Sequence, residues 1–150
     1  MKKNKFAAFA PCAIFSNGKA RENVTGLTDL CYLDFDNIKD EKQLIDVMNI
    51  LRNDKNVLLA SRSVSNDGLH VLISYKLKDM DLSSMTPDEL EEVYEDVYGY
   101  LAGKYQEKLG LVPDNQAGHM EQLYIVSYDP ELHYNPNAEE LVIEKSKDKI

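Results

Sequence analysis

An α+β fold, an antiparallel sheet carrying helices, is predicted for this chain by three observations. Short apolar runs of strand character recur at 30–36, 57–60, 69–75 and 123–128. Two longer stretches, 41–53 and 87–109, place apolar residues at helical spacing. The order from residue 30 is therefore strand, helix, strand, strand, helix, strand. With 150 residues the chain is long enough for one core, so 1–150 reads as a single domain.

Each element has a local reason. Residues 6–15 form an extra N-terminal extended segment, closed by the turn signal Ser16-Asn17-Gly18. A polar link with Lys19, Arg21 and Glu22 and the stretch Val24–Asp29 lead into the first main strand, which ends in a turn at Asn37–Asp40. Asp40 is suited to cap a helix whose stripe is Leu44, Ile45, Val47, Met48 and Leu51. The runs 57–60 and 69–75 flank Ser61–Gly68, too rich in hydroxyls and turn formers for regular structure, so they read as a hairpin. Thr86-Pro87-Asp88-Glu89 combines an N-cap, a first-turn proline and a capping-box acid. The helix it starts buries Leu90, Val93, Tyr94, Val97, Tyr98, Leu101 and Tyr105, and Gly110 stops it. A loop at 111–120 carries Asp114 and His119, read as surface residues, before the last strand ends at Asp129-Pro130. The sequence from Glu131 onward is polar, with a short strand at 140–143 and a lysine-rich end, and about 139–150 reads as a polar C-terminal tail. The order is the split βαβ of ferredoxin-like and RNA-recognition-motif folds, which places the first and third strands at the sheet centre.

Composition limits the function. Seventeen basic against 26 acidic residues leave a net charge of −9, which argues against a broad nucleic-acid-binding surface. Cys12 and Cys31 are far apart, without zinc-motif or disulfide-framework spacing, and fit a reducing, cytoplasmic setting. Lys2-Lys3 ahead of Phe6–Phe15 imitates a secretory signal, but Pro11 splits the run and no small-x-small cleavage site follows before Gly18. No stretch approaches the length of a membrane span, so no membrane partner is expected.

The first main strand is interrupted by Asp34 and Asp36. At i and i+2 they share a face, about 7 Å apart by strand rise, and their carboxylates can converge on divalent ions. The alternative is that Asp34 is a lone strand-end acid and Asp36 caps the next helix. His70, on the third strand, falls on the same site if all three use the helix-free face; a histidine in that position also reads as a core residue. Asp129 before Pro130 reads equally as a turn initiator.

Three motifs now stand in order: Leu33-Asp34-Phe35-Asp36, Ser65-Asn66-Asp67-Gly68-Leu69-His70 and Val126-Ser127-Tyr128-Asp129-Pro130. On these the chain resembles the archaeo-eukaryotic primase superfamily, nearest to the primase-polymerase-like domains grouped with VirE-type amino-terminal domains of plasmids, phages and other mobile elements. Phe6–Phe15, Thr25-Gly26-Leu27, Leu109-Gly110-Leu111 and Asn135-Pro136 extend the likeness over residues 6–138. The resemblance implies that Asp34, Asp36 and Asp129 are catalytic acids holding Mg²⁺ or Mn²⁺ in a two-metal site, and that His70 meets the phosphates of an incoming nucleoside triphosphate. Arg62, Ser63 and Ser65 are then phosphate donors, and Gly68 lets the backbone approach the nucleotide. Arg21 is a further phosphate candidate, although a solvated loop arginine is the plain reading. Where related domains tend to carry an arginine before the last motif, this chain has Glu121 and Gln122.

The function implied is DNA-primase-like nucleotidyl transfer in replication, on a single-stranded DNA template held with the help of a basic partner such as a helicase. Two alternatives remain open: a non-catalytic module that binds a nucleotide or a protein, and a two-metal phosphodiesterase or nuclease.

Overall fold

The computed structural model describes residues 7–144; Lys2, Lys3 and Phe6, and the lysine-rich end from 145, lie outside the described residues. In chain order the elements are β1 (Ala8–Phe9), β2 (Ala13–Phe15), β3 (Val24–Leu27), β4 (Leu30–Phe35), α1 (Glu41–Arg52), β5 (Val57–Arg62), β6 (Leu69–Lys78), α2 (Pro87–Leu109), β7 (Tyr124–Ile125), β8 (His133–Tyr134) and β9 (Leu141–Glu144). Short 3₁₀ turns occupy Arg21–Asn23 and Asn115–Ala117. No helix among the described residues is long and apolar enough to cross a membrane.

The expected α+β class is what forms: a five-stranded sheet in the order β4-β6-β5-β8, with β9 added to β6, packed against two helices. Pairings along that order are antiparallel, while β9 runs parallel to β6 over Tyr75–Lys78. Two small sheets, β1-β7 and β2-β3, complete it. Helix signals behave as expected. Asp40 accepts the Lys42 N–H at 3.0 Å. Thr86 and Glu89 exchange both capping-box bonds, at 3.0 and 3.2 Å, each such cap contributing about 1 kcal/mol. Gly110 takes φ +70°, which a side chain would resist.

Four differences matter. Pro11 divides the N-terminal segment into β1 and β2, and Val24–Leu27 forms a strand of its own against β2. The hairpin strands run longer than the apolar pattern, so Ser61 and Arg62 belong to β5 rather than to the loop. The strand expected at 140–143 forms, as β9, but it does more than a polar tail would, because it buries Ile143 completely. Finally, β6 is central as expected, but β4 ends the ladder instead of sharing the centre, and the last strand pairs with β1 instead of β4.

The reason lies in what covers the outer edge of β4. The Tyr32 N–H donates to Tyr94 Oη of α2 at 3.2 Å, and the Asp34 carbonyl accepts the Asp114 N–H at 2.8 Å. Those groups are then satisfied without a neighbouring strand. Residues 124–125 instead lie over the sheet face. Tyr124 packs on Tyr32 with ring centroids 5.4 Å apart, and its hydroxyl reaches Ser61 Oγ at 2.5 Å and the His70 carbonyl at 3.3 Å.

The face alternation of β4 sets what is core and what is site. Cys31, Leu33 and Phe35 are fully buried, on the side where Tyr94 Oη lies 3.6 Å from Cys31 Sγ and donates to Cys12 Sγ at 3.2 Å. Asp34 and Tyr32 take the opposite face.

Candidate functional site

Register brings the motif residues together. Asp34 on β4 and Ser61 on β5 both stand opposite His70 on β6, so the three form a row across adjacent strands. The Asp34 and His70 side chains meet, with Oδ1 and Nε2 3.7 Å apart. Tyr32 and Tyr124 each present an edge-on ring to His70, at 5.6 and 5.3 Å between centroids. Burial, with Asp34 close by, pushes the Tyr32 hydroxyl up; burial also raises that of Tyr124, to about 12, against the lowering bond with Ser61. Both phenols are therefore neutral at physiological pH.

The other ring nitrogen of His70 fixes its tautomer. Nδ1 lies 3.3 Å from the Ile125 carbonyl, which only accepts, so Nδ1 carries hydrogen and Nε2 is the nitrogen turned toward Asp34. His70 is buried, yet it borders an open cleft of about 540 Å³. Tyr32, Asp34, Asp36, Ser63, Val64, Ser65, Gln122, Leu123 and Ile125 line the same cleft.

Local folding of the Ser63–Gly68 loop explains its place. The Ser63 N–H donates to the Gly68 carbonyl and the Asn66 N–H to the Ser63 carbonyl, at 3.0 and 2.9 Å, with Asn66 at φ +66°. The loop is tied to the end of β4 by the Ile38 N–H on the Asp67 carbonyl at 2.7 Å. Gly68 sits so close to that end that an added Cβ would lie 2.4 Å from the Phe35 carbonyl oxygen. The expected close approach at Gly68 is thus toward β4. Ser63 and Ser65 reach the cleft, with Ser65 Oγ donating to Asp67 Oδ1 at 2.5 Å.

Two candidates are placed elsewhere. Arg62 turns to Glu41 at 2.7 Å and to Asn66, and is not among the cleft residues. Asp129 accepts the Arg62 N–H at 2.9 Å and the Glu131 N–H at 2.8 Å, while Ser127 Oγ donates to the Arg62 carbonyl, so this motif holds the end of β5. The third carboxylate is Asp114, read from the sequence as a surface residue. Single oxygens of Asp34, Asp36 and Asp114 lie within 4.8 Å of one another. The bond from the Asp114 N–H to the Asp34 carbonyl puts it there. That backbone contact leaves no mark in the pattern of side chains. Arg21 is not free for phosphate either: it pairs with Glu121 at 3.0 Å, and Gln122 borders the cleft.

Three convergent carboxylates are a hard oxygen donor set, of the kind that suits Mg²⁺ or Mn²⁺. Asp34 and Asp36, the histidine and the serine loop all open on one volume, and Asp114 stands beside the two acids.

A sequence profile described as "BT4734-like, N-terminal domain" matches residues 1–134. The chain belongs to that family. Most of the described fold falls within the BT4734-like N-terminal match: every cleft residue and all elements except β9. Neither the curated proteins nor the solved structures contain a match to this chain.

Proposed function

We propose that this BT4734-like N-terminal domain is a metal-dependent nucleotidyltransferase of primase-polymerase type, acting on nucleoside triphosphates in the replication of a mobile element or phage. The observation that carries this reading is the convergence of Asp34, Asp36 and His70 on one cleft bordered by the Ser63–Ser65 loop, with a carboxylate oxygen of Asp114 within 4.8 Å of one from each of the two aspartates. The membership of the primase-like superfamily itself rests on the three motifs.

Asp34, Asp36 and Asp114 would hold Mg²⁺ or Mn²⁺. When bound, such ions offset charge on phosphate oxygens during in-line transfer. The chain's own groups supply the rest. His70, its Nδ1–H held by Ile125, presents Nε2 to the cleft as a proton acceptor that, once protonated, donates to a phosphate oxygen. The Ser63 hydroxyl lies on the same rim. Tyr32 and Tyr124, in contact with each other, both pack edge-on against the imidazole.

Calorimetric titration of deoxynucleoside and ribonucleoside triphosphates, with Mn²⁺ and with chelator, tests the site. Binding is expected with metal only, weakened about tenfold or more in Asp34→Ala, Asp114→Ala and His70→Asn. The asparagine amide can keep the bond to Ile125 while removing Nε2. Equal affinity in all three variants, or none in the parent, overturns the reading.

A second reading, a non-catalytic nucleotide- or protein-binding module, is favoured by one observation. No lysine or arginine is among the cleft residues, and Arg62 and Arg21 are engaged with Glu41 and Glu121. Metal-dependent nucleotide binding without pyrophosphate release on a primed or unprimed single-stranded template, even with a basic partner added, would select it.

A further inference from the structure

Glu91 is a buried acid that the cleft does not use. It stands on the inner side of α2, 4% exposed, and one of its oxygens, Oε2, accepts no hydrogen bond. Its other oxygen is 3.3 Å from His119 Nδ1, on the loop between α2 and β7. Arg21 Nε lies 3.5 Å from Oε2, but that guanidinium is committed to both oxygens of Glu121, at 3.0 and 3.4 Å. Glu95 follows one turn later on the same helix face. Ligand atoms of Glu91, Glu95 and His119 lie within 4.8 Å of one another.

Charge around this group is unbalanced. The Arg21 guanidinium faces Glu121, Glu91 and Asp88, and Glu95 adds a further acid beside Glu91, while a buried carboxylate without a sufficient cation is costly. One divalent cation would correct the excess.

We propose that Glu91, Glu95 and His119 form a second metal site, for a borderline divalent ion of the Zn²⁺ class. An imidazole nitrogen with two carboxylates, one of them sunk in the helix face, leaves a position for water, the usual coordination of zinc held by three protein ligands. The nitrogen also sets the selectivity. Mg²⁺ prefers the all-oxygen set of the cleft, whereas imidazole favours later transition ions. The two sites share no residue, and none of these three borders the cleft.

The site has a structural use. His119 is five positions from Asp114 in the same loop. An ion bridging His119 to α2 fastens the loop that delivers Asp114 to Asp34 and Asp36. The proposal does not rest on nucleotide binding, and either can fail while the other stands.

The test uses the full chain stripped of metal, with Mg²⁺ in excess over the cleft carboxylates. Zn²⁺ is titrated in competition with a chromophoric chelator, and Co²⁺ is then substituted to read its visible absorption. Glu95 and His119 are exposed, so Glu95→Gln and His119→Ala are expected to fold, as circular dichroism checks. One equivalent of Zn²⁺ should bind, weakened about tenfold or more in both variants and unchanged in Asp34→Ala, with Co²⁺ bands that His119→Ala alters. Zn²⁺ affinity that is absent, equal in His119→Ala, or lost through Asp34→Ala overturns the proposal.

Discussion

At the scale of single residues, the loop over β4 hinges on Gly68, whose missing side chain is what lets the chain lie against the Phe35 carbonyl. Gly68→Ala puts a carbon 2.4 Å from that oxygen, so backbone must move. The expected cost is about 1–3 kcal/mol in denaturant unfolding, with the Ser63–Ser65 rim displaced from Asp36. Asp34, Asp36 and His70 are legible in the sequence because strand alternation and hairpin register are simple periodicities. Asp114 is not. Its carboxylate arrives through a backbone bond to a residue 80 positions away, and loop residues of that kind carry no periodic signal.

At the scale of elements, β4 owes its position to α2. Tyr94 reads from the sequence as one more apolar-stripe residue, yet its hydroxyl accepts the Tyr32 N–H at the strand's outer edge. Tyr94→Phe keeps the ring and removes the acceptor. A buried donor left unpaired costs about 1–3 kcal/mol, which urea titration measures. The end of β5 is held in a comparable way by Asp129 and Ser127, side chains bonded to the Arg62 backbone. Asp129→Ala is therefore expected to lower stability by about 1 kcal/mol while Mn²⁺ affinity stays at the parent value. A fall in Mn²⁺ affinity on that substitution, without unfolding, would return Asp129 to the metal-binding acids. The place of β4 at the end of the ladder escaped the sequence because a phenol and a loop amide satisfy its edge, and a pattern of apolar alternation is silent about that.

At the scale of the whole molecule, stability in acid turns on the far end of α2. Burial alone would raise Asp54, but hydrogen bonds from Lys108 and Tyr105, both 2.7 Å, and from the Asn56 N–H outweigh it and hold the carboxyl below its usual 3.8. A depressed native value stabilises the fold above the unfolded value, and that contribution is lost as pH falls through the native one. Lys108→Met lets the native value rise, so the acid unfolding midpoint is expected to move to higher pH in a circular-dichroism titration. The α+β class and both helices were open to sequence reasoning because caps and stripes are local chemistry. The net charge of −9 was equally open, and it agrees with a cleft where carboxylates outnumber cations. The covered edge of β4 has one more consequence. An edge closed by one phenol and one loop amide is closed reversibly, and beneath it runs Leu30-Cys31-Tyr32-Leu33, an apolar segment that invites another chain's backbone. The bond that delivers Asp114 is thus also a guard against aggregation.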